Sequence, residues 1–142
     1  MRIIGCGNRE RMDDGVGLLA AEHLRSLGVE AATQSGEALS LIEAWSGADD
    51  VIVVDTVLTG MPAGTLHIWD SRHSLPVARQ FSSHGLGVAE AIELSRALGR
   101  LPRRLRVYGI EGREFGYGSE ISPEVALAAE NVARILFRSA GR

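Results

Sequence analysis

Short runs rich in β-branched residues alternate with stripes of helical spacing along the whole chain. Arg2–Cys6 reads as a first strand. Apolar positions then recur at three- and four-residue intervals through Val16, Leu19, Ala20, His23, Leu24 and Leu27, and Gly28 supplies a helix stop. Residues 29–33 read as a second strand, and residues 39–45 as a short helix closed by Gly47. Val51, Ile52, Val53 and Val54 form an unbroken run ending at Asp55, which suits a strand buried on both faces of a parallel sheet. Gly60, Pro62 and Gly64 break the chain before residues 65–69, which alternate like an edge strand. No helix separates that segment from Asp55, so it is expected to run antiparallel. A further helical stripe at Val88, Ala91, Ile92, Ser95 and Leu98 ends at Gly99 and Pro102, and a last strand follows over residues 105–110. Ser122 and Pro123 open a C-terminal helix with Val125, Ala128, Ala129, Val132, Ile135 and Leu136 on its apolar side.

Strands and helices alternating in this way predict an open α/β sandwich with helices on both faces of a mostly parallel sheet. The 142 residues suffice for a single domain over residues 1–142 with one real core. Nothing repeats at the period of a solenoid or propeller. Hydrophobic residues make up 45% and charged residues 23%, which excludes a disordered or collagen-like chain. The net charge of −3 argues against a nucleic-acid partner, since phosphate binding calls for a basic surface. All 15 basic residues are Arg, which reads as a coding bias rather than as chemistry. One cysteine, Cys6, allows no internal disulfide and points to a reducing compartment. The N-terminus lacks a signal core and no apolar run approaches membrane-spanning length, so a soluble cytoplasmic protein without a membrane partner is expected.

Ligands in open α/β sheets bind beyond the carboxyl ends of the strands. Three segments there carry metal-type donors: residues 5–17 with Asp13 and Asp14, Asp55, and residues 82–87 with His84. Two carboxylates and an imidazole, with further positions open, suit a divalent metal. Each has a plainer reading. Asp13 and Asp14 could cap the helix that follows, Asp55 could form a turn, and His84 could be an ordinary loop residue. A carboxylate beside four apolar residues is costly to leave without a partner, which favours a bound cation at Asp55. His67 and His73 read as loop histidines of no consequence, and His23 as a core-edge residue.

Other motifs fail on detail. Gly5-Cys6-Gly7 places Glu10 where the third glycine of a dinucleotide loop belongs, and a chain without Lys has no Walker A loop. Cys6 has no base tied to it by motif, so it makes a poor nucleophile. Arg100, Arg103, Arg104 and Arg106 read as a solvated basic loop.

The pattern resembles that of the nickel–iron hydrogenase maturation endopeptidases, which trim the C-terminus of the hydrogenase large subunit. The resemblance rests on Gly5-x-Gly7-Asn8 followed by Asp13-Asp14-Gly15-x-Gly17, on the apolar strand ending at Asp55 with Pro62 and Gly64 after it, and on Ser83-His84-x-Leu86-Gly87. Pro102, the strand 107–110 and Ser122-Pro123-x-Val125 follow in the family's order. It implies a three-layer α/β/α sandwich around a twisted, mostly parallel five-stranded sheet with one antiparallel strand.

Carried over by motif, Asp14, Asp55 and His84 would be both the metal ligands and the catalytic residues, and Asn8 and Gly36 would help line the substrate cleft. The implied metal is Ni(II) brought by the substrate, with zinc or cadmium as surrogates. The implied partner is the hydrogenase large-subunit precursor, and the protein would act as a monomer. The chain departs from the family pattern at Arg9-Glu10-Arg11-Met12, at Gln34-Ser35-Gly36-Glu37 and at the extra Ala63, none of them ligand positions. Two alternatives stay open: a non-catalytic nickel-binding maturation chaperone, and a peptidyl-tRNA-hydrolase-like esterase. The position of His84 and the acidic charge weigh against the second.

Overall fold

The computed structural model describes residues 1–72 and 87–140. The strands β1 (Arg2–Cys6), β2 (Ala32–Gln34), β3 (Asp50–Val57), β4 (Leu66–Asp70) and β5 (Arg104–Glu111) form one sheet in the order β2-β1-β3-β5-β4. Four strands are parallel, and β4 alone runs antiparallel, on the edge beside β5. Helices α1 (Val16–Ser26) and α4 (Pro123–Ala140) cover one face, packing on Ile3, Ile52, Val54, Tyr108 and Ile110. Helices α2 (Ala38–Trp45) and α3 (Gly87–Ala97) cover the other, over Ile4, Cys6, Val51, Val53, Val57, Leu105 and Val107. This is the three-layer sandwich expected, with the alternation along β3 sorting its apolar residues between two cores. Among the described residues, no helix is long and apolar enough to cross a membrane.

The structure departs from the sequence reading at several points. The second strand begins at Ala32 rather than Val29, because the Val29 N–H is donated to the Leu24 carbonyl (2.9 Å) and closes the end of α1. β3 continues two residues past Asp55: Thr56 and Val57 pair with Ile110 and Glu111, and the Gly112 N–H bonds the Val57 carbonyl (3.0 Å). Asp55 therefore lies inside the strand, one turn of the pleat short of its tip. A 3-10 turn at Met12–Gly15, unforeseen in the sequence, precedes α1. Leu98 and Ile135, read as core positions, are exposed at 55% and 41%.

The glycines around this turn allow backbone to touch backbone. A Cβ on Gly17 would stand 2.2 Å from the Cys6 carbonyl oxygen and 2.4 Å from that of Val54, so the first turn of α1 lies directly on β1 and β3. A Cβ on Gly7 would meet the Asp14 carbonyl oxygen at 2.0 Å. Gly17→Ala must move two buried strands or the helix and is expected to cost about 3 kcal/mol or more. Urea unfolding would measure it, and a loss below roughly 1 kcal/mol would show that this seam yields easily.

Candidate active site

The 3-10 turn hangs over the carboxyl ends of β1 and β3 and carries two adjacent, fully buried acids, Asp13 and Asp14. They face different partners. The Asn8 N–H is shared between the backbone carbonyl of Asp14 (3.2 Å) and its Oδ2 (3.1 Å). The Asn8 side chain in turn accepts the Glu10 N–H (2.9 Å), which fixes the bend after β1. Neither acid caps α1, whose N-cap is Gly15 without a side-chain bond, so the capping reading does not hold.

Asp55 is 3% exposed and, by alternation along β3, lies on the same face as Val53 and Val57. Its Oδ1 accepts the Thr56 N–H (2.8 Å). Burial first, and then the negative charge of Asp14, push the Asp55 carboxyl well above the usual carboxylate range, against the pull of the Thr56 N–H. The charge of Asp14 is thus felt at Asp55. Cys6 borders both: burial, then Asp55, then Asp14 raise its thiol well above the ordinary value, so it stays protonated and is no nucleophile.

Two buried carboxylates that repel each other fit a cation, because a divalent ion relieves both the desolvation of the charges and their repulsion. Among the described residues, no three His, Cys, Asp or Glu side chains group closely enough to hold a metal by themselves. His84 and His73 lie outside the described residues. Gly36 is buried with a φ of +96°, and its carbonyl oxygen stands 1.6 Å from where a Cβ on Gly87 would be. The bend after β2 therefore touches the start of α3, on the same side of the sheet as Asp55.

A further buried acid at this edge is not singled out by the sequence reading. Glu111, 1% exposed at the end of β5, accepts the Thr59 N–H (2.7 Å), the Thr59 hydroxyl (2.5 Å) and the Gly60 N–H (3.3 Å). His67 Nε2 lies 3.1 Å from its Oε1, and the His67 ring stacks on Trp69 at 5.2 Å. His67, itself partly exposed, thus pairs with the buried Glu111 that holds the connector after β3, and is not a histidine without consequence. The signal was present: Glu111, like Asp55, is an acid that follows an apolar run. Through Gly109, Asp55 and His67 share one lateral row of the sheet.

The fold matches known structures over its whole length. HybD, a [NiFe] hydrogenase maturation protease from Thermococcus kodakarensis, superposes with a TM-score of 0.77 at 22% identity, over 99% of each chain. The hydrogenase maturating endopeptidase HybD from E. coli gives 0.75 at 21% identity, over 99% of this chain and 94% of its own. In sequence, the hydrogenase expression/formation protein HupD of Thiocapsa roseopersicina is 28% identical over 131 residues, covering 87% of this chain and 59% of HupD. HoxM of Azotobacter vinelandii, described in the same words, is 28% identical over 141 residues, covering 94% of this chain and 68% of HoxM. The chain is thus well short of the length of both relatives. The sequence model described as hydrogenase maturation protease matches residues 28–139, from the end of α1 nearly to the end of α4, taking in Asp55. The 3-10 turn precedes that match and falls within the structural likeness. Since the sequence match takes in most of the chain, the protein belongs to the hydrogenase maturation protease family.

Proposed function

We propose that this chain is a cytoplasmic endopeptidase that removes a short C-terminal extension from a nickel-loaded hydrogenase large-subunit precursor. The observation that carries this reading is the pair of buried acids, Asp14 and Asp55, at the carboxyl edge of the sheet, the charge of the first raising the carboxyl of the second. His84 joins them as third ligand on the strength of the motif. Three protein ligands leave a coordination sphere open, so the pair can receive nickel whose remaining ligands belong to the precursor, with zinc or cadmium as stand-ins. Nickel held by these residues would supply Lewis-acid polarisation of a carbonyl or activation of water. The chain's own part is to hold the two carboxylates ready, dry and close, and to position the extension along the edge near Asn8 and Gly36.

The test is mass spectrometry of the precursor before and after incubation with the purified protein. The nickel-loaded precursor should lose mass at its C-terminus, while nickel-free precursor and casein should not change. Cleavage of the nickel-free form would sink the checkpoint role of the metal. Tight binding of loaded precursor without loss of mass would replace the protease reading with that of a chaperone.

A further inference from the structure

Asp13, the neighbour of the proposed ligand Asp14, is fully buried yet turned away from Asp55. Its Oδ1 accepts the Ser122 N–H (2.7 Å), and its Oδ2 accepts the Arg113 N–H (2.8 Å), the Glu114 N–H (2.9 Å) and the Ser122 hydroxyl (2.8 Å). All four donors come from the connector between β5 and α4. The backbone between the two loops is zipped as well. Met12 N–H bonds the Gly118 carbonyl, Asp13 N–H the Glu114 carbonyl and Gly118 N–H the Glu10 carbonyl, each at 2.9 Å. The Arg11 side chain adds a bond to the Phe115 carbonyl (3.1 Å).

These contacts fix a conformation the chain does not prefer. Met12 has a φ of +52°, the left-handed region that disfavours any residue with a Cβ. A strained backbone persists only where its surroundings over-determine it, and such residues cluster where geometry serves function. Here the twist at Met12 separates the two adjacent acids, sending Asp13 into the connector and Asp14 toward Asp55 and the Asn8 N–H.

We infer that Asp13 is a positioning residue: gripped by the connector from β5 to α4, it holds the turn at Met12 so that Asp14 stands beside Asp55. Residues 113–122 are then part of the site although none of them is proposed to touch the metal. The inference rests on the reading of Asp14 and Asp55 as a metal-holding pair. Outer residues that orient a metal ligand typically change affinity about 10–100-fold when replaced.

The experiment compares wild type with Asp13→Asn, which keeps the shape but replaces one acceptor oxygen with an NH2 donor facing N–H and O–H groups. Zn(II) titration by calorimetry reads the metal-holding pair. Amide hydrogen exchange of Asn8, whose N–H is held by Asp14, reads the placement of Asp14 without any metal. The variant should bind Zn(II) about 10–100-fold more weakly. Its Asn8 amide should exchange at least about tenfold faster, beyond any change at core amides such as Val53. Wild-type zinc affinity and Asn8 exchange in a variant with a lowered Tm would overturn the inference, leaving Asp13 as loop glue. If Asp13→Asn does not fold, Ser122→Ala removes one donor and should shift both readings the same way by a few fold, and no shift would overturn it equally. Should wild type bind no Zn(II), the metal reading is what fails, and Asn8 exchange alone decides the positioning role.

Discussion

Asp55→Asn is expected to lower processing of a nickel-loaded precursor by more than about 100-fold, since even residues that only orient a metal ligand cost about 10–100-fold. The same change should make the metal-free protein more stable at neutral pH, by about 1–2 kcal/mol, a size common for stabilising changes at functional sites. The carboxyl of Asp55 is raised by burial and by Asp14, so its ionised form is disfavoured in the fold. Asparagine keeps an oxygen for the Thr56 N–H and removes the charge. The pH dependence follows from the sign of the shift. A folded-state value above the unfolded one, near 3.9 for Asp, means that the folded protein holds a proton the unfolded chain has lost. Stability of wild type then falls as pH rises from about 4 through the raised value. The advantage of the variant should be small near pH 4 and full at pH 7. Thermal unfolding in chelator should show a gain of roughly 3–8 °C at pH 7. Saturating metal should reverse the order, because binding at 100 times Kd adds about 2.7 kcal/mol to wild type alone. A variant no more stable than wild type at neutral pH would mean that Asp55 is not strained by its neighbour.

What was legible in the sequence and what was not divides between local pattern and pairing with distant parts of the chain. Strands with a strong local pattern were legible: the run from Val51 to Val54 placed the central strand, and the missing helix before residue 65 placed the antiparallel edge. Asp55 stood out because an acid joined to an apolar run needs a reason. The extent of β3 beyond it did not, because Thr56 and Val57 owe their strand conformation to pairing with Ile110 and Glu111, which is information from another part of the chain. The same holds at residues 12–15. Gly15 and Gly17 stand in the motif, but nothing local announces a left-handed Met12 held by Gly118 and Glu114 more than a hundred residues away. Asp13 looked like a helix cap because capping is the local use of an acid there, and its four donors lie over Arg113, Glu114 and Ser122. Ser122 does open α4 as its position before Pro123 predicts, yet its hydroxyl is donated to Asp13.

Asp13→Ala should therefore be among the most destabilising single changes in this protein, at about 3–5 kcal/mol. Four donors lose their acceptor, and each buried polar group left without a partner costs about 1–3 kcal/mol, less where water can enter the space the side chain leaves. For a domain of typical stability, about 5–15 kcal/mol, that is a large fraction of the total. The effect carries its own pH signature, opposite in sign to that of Asp55. Burial alone would raise the Asp13 carboxyl, but the N–H groups of Glu114, Ser122 and Arg113 and the Ser122 hydroxyl outweigh it and hold the group below its usual value. A depressed folded-state value means that the ionised carboxylate stabilises the fold at every pH above the unfolded value near 3.9. That contribution disappears as pH falls from there through the folded value. Denaturant unfolding of wild type and Asp13→Ala should accordingly show the full difference at pH 7 and a smaller one at pH 3. A difference that stays constant across that interval would show that packing of the side chain, and not its charge accepting four hydrogen bonds, holds the connector against the turn.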